Sequence, residues 1–314
     1  MEVSLFTLVS DGMKKFLLHI LLFFAIVGVV DVCVGFGGRY LQGHAKGGSA
    51  RQFDDLVMKD KHDVLILGSS RAHHHYDSPF LSDSLGLDVY NAGYDGNGVV
   101  LADGILEMVL SRYTPKMVLF DIEPAFDIHV YSKDNNHTRY INYLKPYYRE
   151  KGVSQIIKDV SVEEWRKVQS GMIRYNTDIL GMLVDNVIDR GTEPGGYEPM
   201  LGSIAKEPNP KTEQEHVLDS FKLAYIEKLI ALCQSHDIPI VLVGSPKYGI
   251  RDSKDLNPVK EIAKMYGVRY LDYYAEPTFN EHKEWFKEPM HLNRDGARVF
   301  SKMIASDITQ VLSN

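Results

Sequence analysis

The stretch Asp63-Val-Leu-Ile-Leu-Gly68-Ser-Ser-Arg71 decides how this sequence of 314 residues is interpreted. Its apolar run ends at a glycine, which is typical of a strand buried on both faces of a parallel sheet. Two serines and an arginine follow directly, so polar side chains are placed where the strand ends. In open α/β sheets, binding and active sites collect at the carboxyl ends of the strands. The stretch therefore predicts an α/β fold and marks the edge at which a site is expected.

Four more apolar segments along the chain have the character of strands. They cover residues 87–91, 116–121, 238–243 and 268–272. Amphipathic helical patterns separate them, including one long predicted helix over 162–189 and a closing helix over 294–312. Strands that alternate with helices predict a mostly parallel sheet. Residues 122–210 then form a large, partly helical insertion between the third and fourth strands.

The composition places the chain among globular proteins. Apolar residues make up 44% and charged residues 25% of the sequence, and only two cysteines are present. This excludes a disordered, collagen-like or disulfide-stapled chain. The formal net charge is −7, whereas a general nucleic-acid binder needs cations that displace phosphate counterions. We therefore expect no nucleic-acid partner.

The N-terminal region has the pattern of a membrane segment. Lys14 and Lys15 precede an apolar run that continues to Phe36 with one acid, Asp31, near its outer end. We interpret residues 1–13 as a cytoplasmic N-terminus, 14–37 as a transmembrane signal anchor, 38–50 as a linker and 51–314 as the globular domain.

Two alternatives remain open for this segment. It is also compatible with a signal peptide cleaved after Ala45, and with a buried core helix. Under the anchor and the cleaved-peptide interpretations alike, the globular domain lies outside the cytoplasm.

Polar residues follow the predicted strands in a chemically meaningful set. Ser70 follows the first strand, Gly93 follows the second, and Glu288 and His291 lie between the fifth strand and the last helix. A serine hydroxyl becomes a good nucleophile only when a base takes its proton. His291 is the candidate base, and Glu288, three residues earlier, is the candidate that orients its ring. The backbone N–H groups of Ser70 and Gly93 are candidate oxyanion donors.

These blocks resemble the SGNH (GDSL-like) hydrolase superfamily, in particular its envelope-anchored branch linked to polysaccharide O-acetylation. Gly68-Ser-Ser70 is similar to the first block, with Ser70 at the nucleophile position. Asn91-Ala-Gly93 is similar to the second, with Gly93 as an oxyanion donor, and Glu288-Pro-Met-His291 is similar to the last. The resemblance implies a three-layer, flavodoxin-like sheet and serine acyl transfer without a cofactor.

The sequence departs from that family at two places. Glu288 stands where the family has Asp, and Asp121-Ile-Glu-Pro124 stands where it has an Asn that donates to the oxyanion. Asn97 is a candidate replacement for that donor. The departures leave open a second interpretation, a catalytically degenerate member of the fold that binds glycans or assists assembly.

Three further features near the first two blocks are chemically suggestive. Arg71 either contacts an anionic or glycan group of a substrate or pairs with an acid such as Asp121, and Asp95 is a second candidate substrate contact. His73-His-His75 suggests a metal site, but three consecutive residues in a helix do not face one ion, so we expect no metal.

The resemblance also implies what the protein acts on and where. It implies an esterase or O-acetyltransferase acting on acylated envelope glycans or other acyl esters. An integral-membrane acyltransferase is then a candidate partner. The corresponding location is the inner membrane, with one membrane span and an extracytoplasmic or periplasmic catalytic domain.

Overall fold

A computed structural model describes residues 11–132, 135–176, 179–189, 191–205 and 217–312. Its central feature is a five-stranded sheet in the order β2-β1-β3-β4-β5, in which every neighbouring pair is parallel. The strands are β1 Val64–Gly68, β2 Val89–Gly93, β3 Met117–Asp121, β4 Ile240–Gly244 and β5 Arg269–Asp272. This is the strand order of flavodoxin-like doubly wound sheets. From β1 the chain first adds β2 on one side and then β3 on the other, so the switch point of the strand order lies between β1 and β3. The predicted α/β class with a mostly parallel sheet is confirmed.

Helices cover both faces of the sheet. Side chains of β1 alternate between the two faces, so that Leu65 and Leu67 enter one core cluster and Val64 and Ile66 enter the other. The first cluster is covered by α2 Gly48–Met58, α5 Val99–Leu110, α11 Ser220–Gln234 and α12 Asn257–Tyr266. The second is covered by α3 Ser70–His75, α4 Ser78–Leu85, α13 Pro277–Asn280 and α14 Arg294–Leu312. The molecule therefore has three layers, helices, sheet and helices.

The predicted insertion between β3 and β4 contains only short elements among its described residues. They are α6 Pro124–Asp127, α7 Val153–Val160, α8 Val162–Lys167, α9 Gly171–Tyr175 and α10 Ile179–Val187, with 3₁₀ turns at Thr138–Ile141, Lys145–Tyr147 and Pro194–Gly196. A two-stranded antiparallel ribbon, β6 Phe286–Glu288 and β7 His291–Leu292, precedes α14. This ribbon carries the last sequence block to the sheet.

The prediction of one helix over 162–189 is wrong. The chain instead forms α8, α9 and α10 in succession. The side chain of Ser170 accepts a hydrogen bond from Ile173 N–H and begins α9 as a new helix. Asp31 from the N-terminal helix adds a second cap, since its carboxylate accepts from Gly171 and Met172 N–H at 3.0 and 2.9 Å. Side-chain caps thus override a continuous apolar periodicity.

The N-terminal helix, α1, extends over Asp11–His44. Of the described residues, only this helix is long and apolar enough to cross a membrane. The predicted linker over 38–50 is largely helical, because α1 continues to His44 and α2 begins at Gly48. Contacts with the globular domain stabilise the helical conformation of this segment. Arg39 pairs with buried Asp54 at 2.5 Å, and Gln42 donates to Tyr147 Oη at 2.8 Å. The first ten residues of the predicted cytoplasmic N-terminus lie outside the described residues.

Candidate active site

Ser70 is the first residue of α3, two positions beyond the carboxyl end of β1. The turn before it is tight: Gly68 has a φ of +145°, and a Cβ added there would lie 2.7 Å from the Asp121 carbonyl oxygen. Ser69 accepts a hydrogen bond from Arg71 N–H and caps the helix. This turn places Ser70 beside the point where the strand order reverses, as sites in such sheets usually are.

Three predicted residues lie in one hydrogen-bonded row. The Ser70 hydroxyl donates to His291 Nε2 at 2.7 Å across 221 residues of sequence. The other ring nitrogen of His291, Nδ1, donates to the Glu288 carboxylate in a short hydrogen bond. With Nδ1–H held in this way, Nε2 presents its lone pair to the serine, which is the tautomer that a general base needs. Ser70 remains 8% exposed, at the surface of the sheet edge.

The surroundings of His291 favour its neutral form. Burial lowers its pKa below the ordinary value of about 6.5, while the hydrogen bond to Glu288 acts in the opposite direction. A neutral imidazole at neutral pH is able to accept the serine proton. The row therefore has both the geometry and the protonation state of an activated serine.

The oxyanion donors named from the sequence differ in availability. The N–H of Ser70 belongs to the first turn of α3, where helix geometry provides no acceptor. The N–H of Gly93 donates to Asn91 Oδ1 at 3.0 Å, so it serves an oxyanion only by sharing or giving up that bond. Asn97 uses its amide to donate to the Asp95 carbonyl at 3.0 Å, inside its own turn. Ser70 N–H is thus the better placed of the three.

Gly93 is required for another reason. A Cβ added there would overlap the backbone nitrogen of His73 and lie 2.8 Å from Ala72 Cβ, so the glycine lets α3 approach the end of β2. Asn91 Nδ2 strengthens this contact by donating to the carbonyls of Ala72 at 2.7 Å and Tyr76 at 3.0 Å. The second sequence block therefore positions the helix that carries Ser70.

Arg71 is not placed to bind a substrate, which corrects one of the two sequence interpretations. Its side chain is 0% exposed. The guanidinium lies 3.2 Å from Glu123 Oε2 and 3.9 Å from Asp121 Oδ1 and also donates to the Ser245 carbonyl. It follows the other interpretation, pairing with buried acids, and it joins the ends of β1, β3 and β4 beneath Ser70.

Sequence reasoning did not find Ser245, and it gave His75 no role beneath the site. Ser245 follows β4 directly, so the rule of reading the residues after each strand would have found it. The ring of His75 is fully buried, with Nδ1 2.9 Å from Ser245 Oγ, and its Nε2 accepts from Leu292 N–H at 3.0 Å. Burial lowers the pKa of His75 well below its ordinary value, in accord with this accepting role. His75 thereby ties α3 to the strand that carries His291.

Asp95, the second predicted substrate contact, lies at the rim. Its side chain is 59% exposed, and its carboxylate lies 2.9 Å from His73 Nδ1. The chain that follows the 3₁₀ turn at Pro194–Gly196 forms the adjacent wall: Glu198 N–H donates to the His73 carbonyl, and Ile204 N–H donates to the Phe286 carbonyl. The predicted insertion therefore reaches the site with its last described segment before residue 206.

Comparison with family models and with curated protein sequences finds no match for this chain. Its function is therefore argued from the geometry of the site.

Proposed function

We propose that the protein is a membrane-anchored serine esterase or O-acyltransferase that acts on acyl esters outside the cytoplasm, with envelope glycans as the substrate class. The observation that carries the proposal is the row Ser70–His291–Glu288, with 2.7 Å between the serine hydroxyl and the imidazole. The partly exposed position of this row at the end of β1 supports access by a polymer-borne ester.

The proposed reaction has two steps. Ser70 Oγ attacks the ester carbonyl carbon while His291 Nε2 takes its proton. The carbonyl oxygen becomes an oxyanion, which accepts a hydrogen bond from Ser70 N–H. His291 then returns the proton to the leaving alcohol as the ester C–O bond breaks. In the second step His291 deprotonates water or a sugar hydroxyl, which attacks the acyl-serine carbonyl. The bond between the acyl carbon and Ser70 Oγ then breaks, and His291 returns the proton to Ser70 Oγ. Glu288 stabilises the imidazolium formed in each step.

Labelling with a fluorophosphonate tests the activated serine directly. The full chain in detergent is treated with the probe, and the adduct is located by mass spectrometry. One adduct on Ser70, lost in the Ser70→Ala variant and retained in Ser235→Ala, is the expected result. Ser235 is an exposed serine at the end of α11 and serves as the matched control. A folded protein that stays unlabelled while a known serine esterase reacts would contradict the proposal.

A second function, a non-catalytic glycan-binding or assembly protein, is favoured by two observations. The Gly93 N–H is already bonded to Asn91, and the third strand ends in the buried acid Asp121 rather than in an amide donor. Both features reduce the number of groups that stabilise an oxyanion. The absence of labelling at Ser70 would support this function over the enzymatic one.

Replacing Glu288 with glutamine should lower the rate and also move the pH profile. The neutral amide cannot stabilise the imidazolium, so we expect kcat/KM for an activated ester to fall by about 100-fold. This is less than the about 10⁴-fold known for a fully buried acid, because Glu288 is 48% exposed. His291 acts as a base only when neutral, so activity is lost as the pH falls through its pKa. Removing the carboxylate lowers that pKa, and the acid limb should move to lower pH.

The matched control for this substitution is Glu284→Gln. Glu284 accepts a hydrogen bond from the exposed His282 at 2.7 Å, so it has the same chemistry outside the row. Its substitution should leave both the rate and the acid limb unchanged. An acid limb that does not move in Glu288→Gln would show that this carboxylate does not act on His291.

The membrane anchor is supported by an apolar surface beside α1. We use the name membrane face for the exposed apolar side chains of α9, of α10 and of the residue that follows α10. They are Met172, Ile173, Leu180, Leu183, Val184, Val187 and Ile188. Asp31 caps α9 at the outer end of the apolar run, and Gly35 and Gly171 allow the two helices close contact. The membrane face is thus continuous with the proposed span, and we propose that it enters the lipid interface.

A bimane label at Leu183 tests the membrane face in nanodiscs. In a Cys33→Ser background, in which the remaining Cys233 is buried, Leu183→Cys provides one reactive thiol. Brominated lipids should quench this label strongly. A label at Met265, an apolar side chain 72% exposed on α12, should be quenched far less. Equal quenching at the two positions would contradict the insertion of α10 into the lipid interface.

A further inference from the structure

Four metal-ligating side chains converge at the rim of the site. His73 Nδ1 lies 2.9 Å from an Asp95 carboxylate oxygen and 3.8 Å from Glu198 Oε2, and His74 Nε2 lies 3.3 Å from Asp95. The ligand atoms of His73, His74 and Glu198 all lie within 4.8 Å of one another. Two ligands of a tetrahedral ion with bonds of about 2.0–2.1 Å are separated by about 3.3 Å. The ligand atoms of His73, His74 and Glu198 are therefore close enough to one another to surround one ion, and Asp95 lies beside both histidines.

The orientation of His74 is the more telling observation. Its ring is 2% exposed, and its Nδ1–H donates to the backbone carbonyl of Glu198 at 2.7 Å. In the neutral ring, Nε2 then carries a lone pair that faces the Asp95 carboxylate. The two groups attract each other only when a proton on Nε2 or a metal ion lies between them. Histidines that bind metals usually donate their other ring N–H to a carbonyl or carboxylate, as His74 does here.

The sequence argument against a metal assumed that all three consecutive histidines would have to bind one ion. The three consecutive histidines do not face one point, since His75 turns into the interior and contacts Ser245 and Leu292. Two of the three converge instead with carboxylates from distant parts of the chain. Asp95 follows β2, and Glu198 belongs to the segment after the 3₁₀ turn at Pro194–Gly196.

We infer that His73, His74, Asp95 and Glu198 form a binding site for a divalent transition-metal ion of the zinc class. Two imidazoles and two carboxylates suit zinc and its neighbours in the first row, whereas calcium and magnesium prefer oxygen ligands alone. Asp95 and Glu198 are each more than half exposed, which gives the ion a path from solvent. The inference of a metal site does not require that the proposed acyl transfer is correct.

An ion at this place has a structural and an electrostatic consequence. It joins α3, which carries Ser70, to the segment around Glu198 that forms the neighbouring wall of the site. The ring of His74 meets the ring of His291 edge-on, with 5.6 Å between their centres. The ion therefore adds positive charge near the general base and orders one side of the substrate entrance.

Metal binding is tested on the full chain in detergent after treatment with a chelator. Calorimetry should show one equivalent of Zn²⁺, and Co²⁺ should give the visible absorption of a four-coordinate complex. Glu198→Gln and His73→Ala should each weaken Zn²⁺ binding beyond the about 10- to 100-fold that loss of an outer partner costs. Because Glu198 is exposed, its amide variant preserves the fold while removing one ligand.

The matched control is His282→Ala. His282 is an exposed histidine that also contacts a carboxylate, Glu284, at 2.7 Å, but among the described residues no third metal-ligating side chain joins this pair. Its substitution should leave Zn²⁺ affinity unchanged. Absence of saturable Zn²⁺ binding, or equal affinity in Glu198→Gln and the wild type, would overturn the inference. A proton shared between His74 and Asp95 would then account for the arrangement. Either result is independent of whether Ser70 reacts with a fluorophosphonate.

Discussion

Replacing Ser70 with alanine should abolish ester turnover, and His291→Ala should do the same. The two side chains form one hydrogen-bonded unit, so each single loss is expected to lower kcat by about 10³- to 10⁶-fold. The rate of the double variant should be no lower than that of either single variant, because the loss of either side chain already prevents nucleophilic attack by the serine. Initial rates on p-nitrophenyl acetate and on an acetylated polysaccharide measure the effect.

The design separates loss of chemistry from loss of folding. Ser70→Ala removes one hydroxyl, and circular dichroism with a melting curve should show the fold of the wild type. His291 also contacts the rings of His74 and His75, so His291→Gln provides a second variant with a similar volume. Ser235→Ala should keep full activity. Turnover by Ser70→Ala within a few-fold of the wild type, with the fold intact, would refute the proposed mechanism.

Arg71→Met should be the most destabilising single change at the site. The guanidinium is fully buried with Glu123 and Asp121, and its loss leaves two buried carboxyl groups without a cation. Breaking a buried pair in this way costs about 3–5 kcal/mol of unfolding free energy. Because Arg71 also donates to Ser245, the ends of β1 and β4 should separate and activity should fall. Urea unfolding of the full chain in detergent measures the loss.

Two further measurements show whether charge is the cause. Adding Glu123→Gln to Arg71→Met should restore part of the lost stability, since one uncompensated acid is then neutral. The deficit should also shrink as the pH falls. Burial already raises the pKa of Asp121 to about 6 despite the arginine, and removing Arg71 raises it further. A carboxyl group whose pKa is raised by folding stabilises the fold as it takes up its proton. A melting temperature unchanged by Arg71→Met would contradict this account.

Together these predictions divide the site into two layers. The upper layer is the row of Ser70, His291 and Glu288, where changes should affect rate and pH profile with little effect on stability. The lower layer is Arg71 with Ser245 and the buried acids, where changes should affect stability first. The lower layer joins the ends of β1, β3 and β4. The distances between Ser70, His291 and Glu288 depend on the positions of those strand ends.

Local patterns in the sequence determined much of the fold. Short apolar runs located all five strands to within two residues, because side chains of a buried parallel strand are apolar on both faces. The polar residues after β1 and before α14 identified the side chains that meet at the sheet edge. The apolar run after Lys15 identified α1, since a helix of that length and composition is visible without any tertiary contact.

Contacts between distant segments decided the rest. Asp31 and Ser170, 139 residues apart, together cap the start of α9, which periodicity within residues 162–189 does not encode. The burial of Arg71 depends on Ser245 and Glu123, each far from it in sequence. Glu198 reaches His73 only because the chain after β3 returns to the site. Local periodicity reflects which face of an element is buried, whereas the partners of a polar side chain depend on where the whole chain folds.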